Sequence, residues 1–333
     1  LSEKFIEAYN KGKLVGDISF VSEGIKTGNN EKYLRLWYEV PTKKFSMGKA
    51  STGYKWYPHH KGGDYRKWYG NLEWVIDWEN DGDTIKSSKN SGLQGKNMYF
   101  HEFASWSKIS SKGNPLRYFF NNCLFDSGAP AVANNHIFAT MGLFNGVVGK
   151  YFLSSLSPTL NLQVGDVKSI PLILNEENRI NKLVKECIDI SKEDWDSFET
   201  SWDFKVHPLV GEYSTIKEAF GQWETKCNER YNRIVEVETE LNRIYTSIYE
   251  MQKQLSIEVN TKEISIYRAD LKKDIKSLLS YALGCIFGRY SSIIEKDGSI
   301  VHKNMSYYLG NIIPLTDKEY FKNDIVTLIC NWI

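Results

Sequence analysis

The chain has 333 residues, 41% of them hydrophobic and 25% charged. That is the make-up of an ordinary globular protein with room for about two domains. It excludes disordered, collagen-like and low-complexity classes. Mean hydropathy is −0.43, and no run of about 18 apolar residues offers a membrane span. No basic–apolar–small pattern reads as a signal peptide. The five cysteines, Cys123, Cys187, Cys227, Cys285 and Cys330, contain no Cys-x-x-Cys pair. Neither a zinc ribbon nor a disulfide framework is supported, and a reduced, cytoplasmic setting is expected.

The net charge of +1 hides a gradient: residues 1–175 carry +6 and residues 176–333 carry −5. The basic surplus peaks where Lys43, Lys44, Lys49, Lys55, Lys61, Arg66 and Lys67 face a single acid, Asp64. Such asymmetry predicts a basic binding face on one domain. The chain opens on Leu1 and closes at Asn331-Trp332-Ile333 inside an apolar stretch, so a fragment of a longer protein is expected.

Residues 1–175 read as short elements separated by turn signals and dense in aromatic residues. Strands are predicted at Tyr33 to Val40, Trp74 to Trp78, Met98 to Trp106 and Arg117 to Leu124. Gly28-Asn29-Asn30, Lys61-Gly62-Gly63-Asp64 and Glu79-Asn80-Asp81-Gly82 punctuate them. Ile137 to Leu156 reads as a buried helix frayed at Gly146 and Gly149, stopped by Ser157-Pro158. Gln163 to Ile173 reads as a return to strand.

From about residue 176 the pattern becomes helical. Ile180, Leu183, Val184, Cys187 and Ile188 mark one face of a helix over Glu176 to Ile190. Ser191 to Trp202 is helical or linker-like. Between Thr215 and Gln254, Phe220, Cys227, Ile234, Leu241 and Ile248 recur every seven residues. A second seam of Ile216, Trp223, Val237, Ile244 and Met251 is broken at Arg230. This heptad repeat predicts a coiled coil or long hairpin. Further helices are predicted at Arg268 to Tyr290 and Asp317 to Trp332. The fold class expected is α+β: a mixed domain over 1–175, then an all-helical domain over 176–333 with a long heptad helix.

The segment Lys55 to Asn71 interleaves cations and rings around Gly62-Gly63. Lysines neutralise phosphates, rings stack on bases, and Arg or Asn can read base edges. Glycines let the backbone approach a phosphate closely. The competing reading is an aromatic packing cluster with solvated lysines. Lys55, Lys61 and Lys67 are expected at phosphates and Arg66 and Asn71 at base edges. Of Trp56, Trp68 and Tyr69, at least two are expected to pack instead. His59 and His60 are adjacent and diverge, so no metal site is expected there. Ser107, Lys108 and Ser110 form a second polar–basic loop. Asp77, Glu79, Asp81 and Asp83, with Lys86, read as a solvated turn rather than a nuclease centre. His136, His207 and His302 stand alone. No phosphate-loop, dinucleotide-binding or nucleophile-elbow motif occurs.

Gly24 to Val40 and Lys55 to Asn71 resemble the PglX adenine-N6 DNA methyltransferases of BREX phage-defence systems. So, in order, do Trp106 to Ser110, Ser157 to Asp166, Ser191 to Trp195, Ser201 to Lys205 and Tyr281 to Ser291. Type IIG restriction-modification proteins share parts of the set. The resemblance implies a target recognition domain with an adjoining helical region. The S-adenosylmethionine-binding core would lie N-terminal to it. The family's Asn-Pro-Pro-Tyr-type motif is missing; Asn114-Pro115-Leu116 is the nearest string. The expectation is sequence-specific duplex DNA recognition without catalytic residues, bound metal or cofactor in this segment. The DNA-binding set is Lys55, Trp56, His59, His60, Lys61, Arg66, Lys67, Tyr69, Asn71, Ser107, Lys108 and Ser110. The parent would use S-adenosylmethionine, and partners would be duplex DNA, the parent's methyltransferase core and other defence proteins, with no membrane. The alternatives are a helical protein-interaction scaffold and a type IIG specificity region.

Overall fold

The computed structural model describes residues 2–48, 53–156, 159–287, 313, 315–320, 322 and 324–332. Lys49, Ser157-Pro158 and residues 288–312, His302 among them, lie outside them. The fold is α+β. Among the described residues no helix is long and apolar enough to cross a membrane.

The chain divides into two compact units. The first comprises Leu1–Asp203 and Arg230–Tyr267, the second Phe204–Glu229 and Arg268–Ile333. The boundary expected near residue 175 therefore falls inside the first unit.

Two four-stranded sheets organise the first unit. In one, Leu124–Phe125 runs parallel to Trp56–His60, which pairs antiparallel with Trp74–Asp77, itself antiparallel to Leu34–Leu36. The other is antiparallel throughout, in the order Phe20–Ser22, Ala131–Ala133, Phe103–Ser105, Arg117–Phe119. Every residue of Trp56–His60 is buried. Both faces are covered, so the strand shows no alternation of apolar and polar residues to betray it. Pro58 inside the run further masks it.

The expected strand over Tyr33 to Val40 shrinks to Leu34–Leu36. Asn29 accepts from Lys32 N–H and caps a helical turn before it, and Glu39 accepts from Leu36 N–H in a 3-10 turn after it. The strand expected over Gln163 to Ile173 is mostly a helix, Val164–Lys168, with Asp166 accepting from Gln163 N–H at 2.9 Å. Only Pro171–Leu172 is extended, paired with Lys13–Leu14.

The apolar run from Ile137 becomes two helices, Ile137–Asn145 and Val147–Leu156, parted at the extended Gly146. Asn242 accepts from Val147 N–H at 3.0 Å and caps the second. A Cβ at Gly149 would lie 2.2 Å from Leu143 O, so only glycine admits this close return. Glu177–Asp196 is a single helix that buries Ile180, Val184, Cys187 and Ile188, the predicted face.

The heptad stretch is one helix, Ile216–Ile248. Its part within the first unit buries Ile234, Val237, Leu241, Ile244 and Tyr245. Tyr245 Oη donates to Ala139 O at 2.6 Å. The repeat thus marks a core helix of the globular unit. The second unit contains Leu271–Ile286 and Ile325–Trp332. Tyr281 packs there between Phe204, His207 and Trp332, ring centroids 5.6–6.0 Å away.

Candidate nucleic-acid interface

Because Trp56–His60 and Leu124–Phe125 are parallel, the loops that follow them emerge at the same end of the sheet. Asp126 N–H donates to His60 O at 2.9 Å and locks the two exits together. A third loop joins from the other sheet: Lys108 N–H donates to Gly128 O at 2.9 Å and Ser107 Oγ to Gly63 O at 2.9 Å. Leu162 N–H and Ser110 N–H tie that loop to residues 159–162 through Lys108 O and Leu160 O. Lys61, Lys108, Ser110 and Lys112 are all solvent-accessible on this loop cluster. Lys61 Nζ sits 4.1 Å from the Trp74 ring centroid, and Lys108 Nζ 2.5 Å from Glu23.

The twelve expected contact residues do not form one surface. Lys55 lies at the start of its strand and Lys61 just past its end, so about 20 Å of strand separates them. Lys55 faces Asp77 and Glu79 at 3.2 and 3.5 Å, and the Asp77 carboxylate raises its pKa. Trp56, His59, His60, Lys67, Tyr69 and Ser107 are buried. All three rings of Trp56, Trp68 and Tyr69 pack in the interior, at 8%, 2% and 3% exposure.

Arg66 is half-spent internally. Its Nη2 lies 2.5 Å from buried Asp194, its Nε donates to Tyr69 O, and its guanidinium lies 5.0 Å from the Trp195 ring. Asn71 donates to Asp64 O at 2.7 Å. The acidic run lies in a helical element, Glu79–Lys86, kinked where Asn80, Asp81 and Gly82 take positive φ, with Lys86 paired to Asp81.

Beneath the loops lies Arg117, which the sequence pattern left unremarked. It is fully buried, and among the described residues it has no carboxylate partner. Nη2 donates to Ser107 Oγ at 3.0 Å and approaches His60 Nε2 at 3.2 Å; Nη1 donates to Arg66 O at 3.3 Å. Burial, then the nearby Arg66 charge, pushes its pKa down to about 9. It remains a cation at neutral pH. Burial and the Arg117 charge push His60 well below its ordinary value, so it is neutral. His59 Nε2 faces Asp126 Oδ2 at 3.4 Å. Burial opposes ionisation of Asp126, but His59, Gly128 N–H and Lys61 outweigh it and lower its pKa. A lone Arg between Leu116 and Tyr118 in an otherwise apolar run was the available signal. Among the described residues no group of three or more His, Cys, Asp or Glu could hold a metal ion.

No protein-family model matches the chain. It is 36% identical over 331 residues to an adenine-specific methyltransferase PglX of Lacticaseibacillus casei (strain Zhang), covering 91% of this chain and 27% of that protein. It is 31% identical over 349 residues to an adenine-specific methyltransferase BrxX of Escherichia coli O9:H4 (strain HS), covering 93% of this chain and 28% of that protein. The chain thus spans little more than a quarter of the length of these relatives. Nearly all of it aligns, so both compact units belong to the shared region. The chain is a homologue, over that portion, of the PglX- and BrxX-type adenine-specific methyltransferases.

Proposed function

We propose that the first unit contacts duplex DNA and reads the target site for an adenine-N6 methyltransferase of the BREX phage-defence type. The observation that carries this reading is the convergence of three loops bearing Lys61, Lys108, Ser110 and Lys112 over the unpaired buried cation Arg117. Lysines on such loops neutralise phosphates, while hydroxyls and backbone groups fix the register. Residues 1–175 form the reading part in this proposal, with residues 176–333 as its helical support. The buried members of the expected set, His59, His60, Lys67 and Tyr69 among them, shape the loops from within. Lys61, Lys108 and Ser110 meet the duplex, and Lys55 meets it only if the contact extends along the sheet.

Methyl transfer belongs to a separate core of the parent protein, which binds S-adenosylmethionine. The chain by itself binds neither that cofactor nor a metal. The test is titration of the full chain with mixed-sequence duplex across a salt series. On the order of 4–5 phosphate contacts give a log–log slope of about −4. A salt-independent affinity sinks the reading. Calorimetry with S-adenosylmethionine should give no binding heat, and micromolar binding would overturn the division of labour.

A further inference from the structure

Around the turn that follows Trp56–His60, three carbonyl groups accept from side chains. Ser107 Oγ donates to Gly63 O at 2.9 Å, Asn71 Nδ2 to Asp64 O at 2.7 Å, and Arg117 Nη1 to Arg66 O at 3.3 Å. In a trans peptide the C=O of one residue and the N–H of the next point in opposite directions. The N–H groups of Asp64 and Tyr65 therefore point away from Ser107 and Asn71. Among the described residues neither donates to a protein acceptor. The N–H that follows Arg66 differs, since Lys67 N–H donates to Ser265 Oγ at 3.1 Å. Gly62 and Gly63, at φ +92° and +110°, give the turn a backbone path that side-chain-bearing residues rarely adopt.

The charge beneath the turn favours an anion. Arg117 is 0% exposed and its Nε has no partner. A buried cation without a counter-ion is costly, and its field is weakly screened in the protein interior. His60 beside it is neutral. Lys61 flanks the turn, held over Trp74. Three acids oppose an anion. Asp126 is engaged by His59 and Gly128, Glu73 is partly buried with its pKa raised by burial and by Asp64, and Asp64 is exposed on the turn itself.

We propose that the turn Lys61 to Tyr65 is an anion cradle for one phosphate group. Asp64 N–H, Tyr65 N–H and Lys61 Nζ hold it, and the Arg117 charge supports it from below. The proposal rests on the DNA reading above and sharpens it: the phosphate is a phosphodiester of the bound strand. Inorganic phosphate shares the chemistry and serves as a separate probe.

The test is amide NMR on the full chain, titrated with inorganic phosphate and, separately, with mixed-sequence duplex at low salt. Both titrants should shift the Asp64 and Tyr65 amides saturably, the duplex at far lower concentration. Arg117→Met should weaken phosphate binding about tenfold, from loss of one poorly screened charge. Asp64→Asn should tighten it. Ser107→Ala frees the Gly63 carbonyl and should weaken it, which keeps the test alive if Arg117→Met does not fold. Amides unmoved by either titrant, or a folded Arg117→Met with unchanged phosphate affinity, overturn the cradle. Duplex binding with Asp64 and Tyr65 unmoved also overturns it while leaving the DNA reading standing. Phosphate-induced shifts without duplex binding uphold the cradle and overturn the DNA reading.

Discussion

Lys67 Nζ lies 2.6 Å from Glu238 Oε2, and the two residues, 171 apart in sequence, are 2% and 5% exposed. The other carboxylate oxygen accepts from Trp68 Nε1 at 2.7 Å. Both oxygens of a buried acid are therefore satisfied by neighbours from the basic segment, and this lysine serves the core. Removing one partner of such a pair strands the other charge.

Lys67→Ala should lower stability by about 3–5 kcal/mol. Lys61→Ala should leave the melting temperature nearly unchanged and reduce the salt slope of DNA binding by about 1. Thermal melts and salt titrations of the two variants check this contrast. Equal stability of Lys67→Ala and wild type would refute the structural role.

Arg66→Ala should also act through the fold. It leaves Asp194, 0% exposed, without the guanidinium that lies 2.5 Å from it. Asp194 retains Tyr267 N–H at 3.0 Å, so the cost should be on the order of 3 kcal/mol. Arg66→Lys should recover only part of it, because lysine cannot bond Asp194 and Tyr69 O together in the guanidinium's fork geometry. Urea midpoints of the two variants decide the matter.

Acid should destabilise the second unit. Burial holds His207 at about 4, against an ordinary value of 6.5. Above pH 6.5 the ring is neutral in folded and unfolded chains alike, and the full stability is present. As pH falls from 6.5 toward 4, the unfolded chain takes up the proton first, and about 3 kcal/mol is progressively lost. His207→Leu should flatten the pH dependence of melting across this window. It should also lower the melting temperature at pH 7, because His207 Nδ1 accepts from Leu209 N–H at 3.2 Å.

Gly24→Ala should be severe for a residue so small. The added Cβ would stand 2.1 Å from Phe125 O and 2.5 Å from the Phe125 ring. Gly24 cannot yield without moving Ile25, whose carbonyl accepts from Ser127 N–H and anchors one of the three converging loops. A loss of about 3 kcal/mol is expected, with DNA affinity falling alongside. Denaturant midpoints and duplex titration should shift together.

Long helices were legible because their apolar residues recur at helical spacing: Ile180, Val184, Cys187 and Ile188 are all buried as the pattern requires. The heptad rhythm located its helix but not its surroundings. A seven-residue stripe also suits a helix sunk into a mixed core, where Glu238, Asn242 and Thr246 are buried with it. Strand ends were less legible, since Asn29, Glu39 and Asp166 bend the chain through single hydrogen bonds. The basic–aromatic segment was visible as a region. Which of its cations reach solvent was not, because the acids that claim Arg66 and Lys67 lie 128 and 171 residues onward.

The first compact unit is closed by Arg230–Tyr267, which follows an excursion of the chain through Phe204–Glu229 in the other unit. During synthesis, the unit's early residues must wait for that late segment before Lys67 meets its acid or Asn242 caps Val147. Such distant pairings slow folding, and until they form, the nascent chain displays the apolar faces of two sheets. A truncation at residue 175 or 203 makes that waiting state permanent. Expression of the isolated loop-bearing region should yield aggregate, whereas chains continued through residue 267 retain the closing segment.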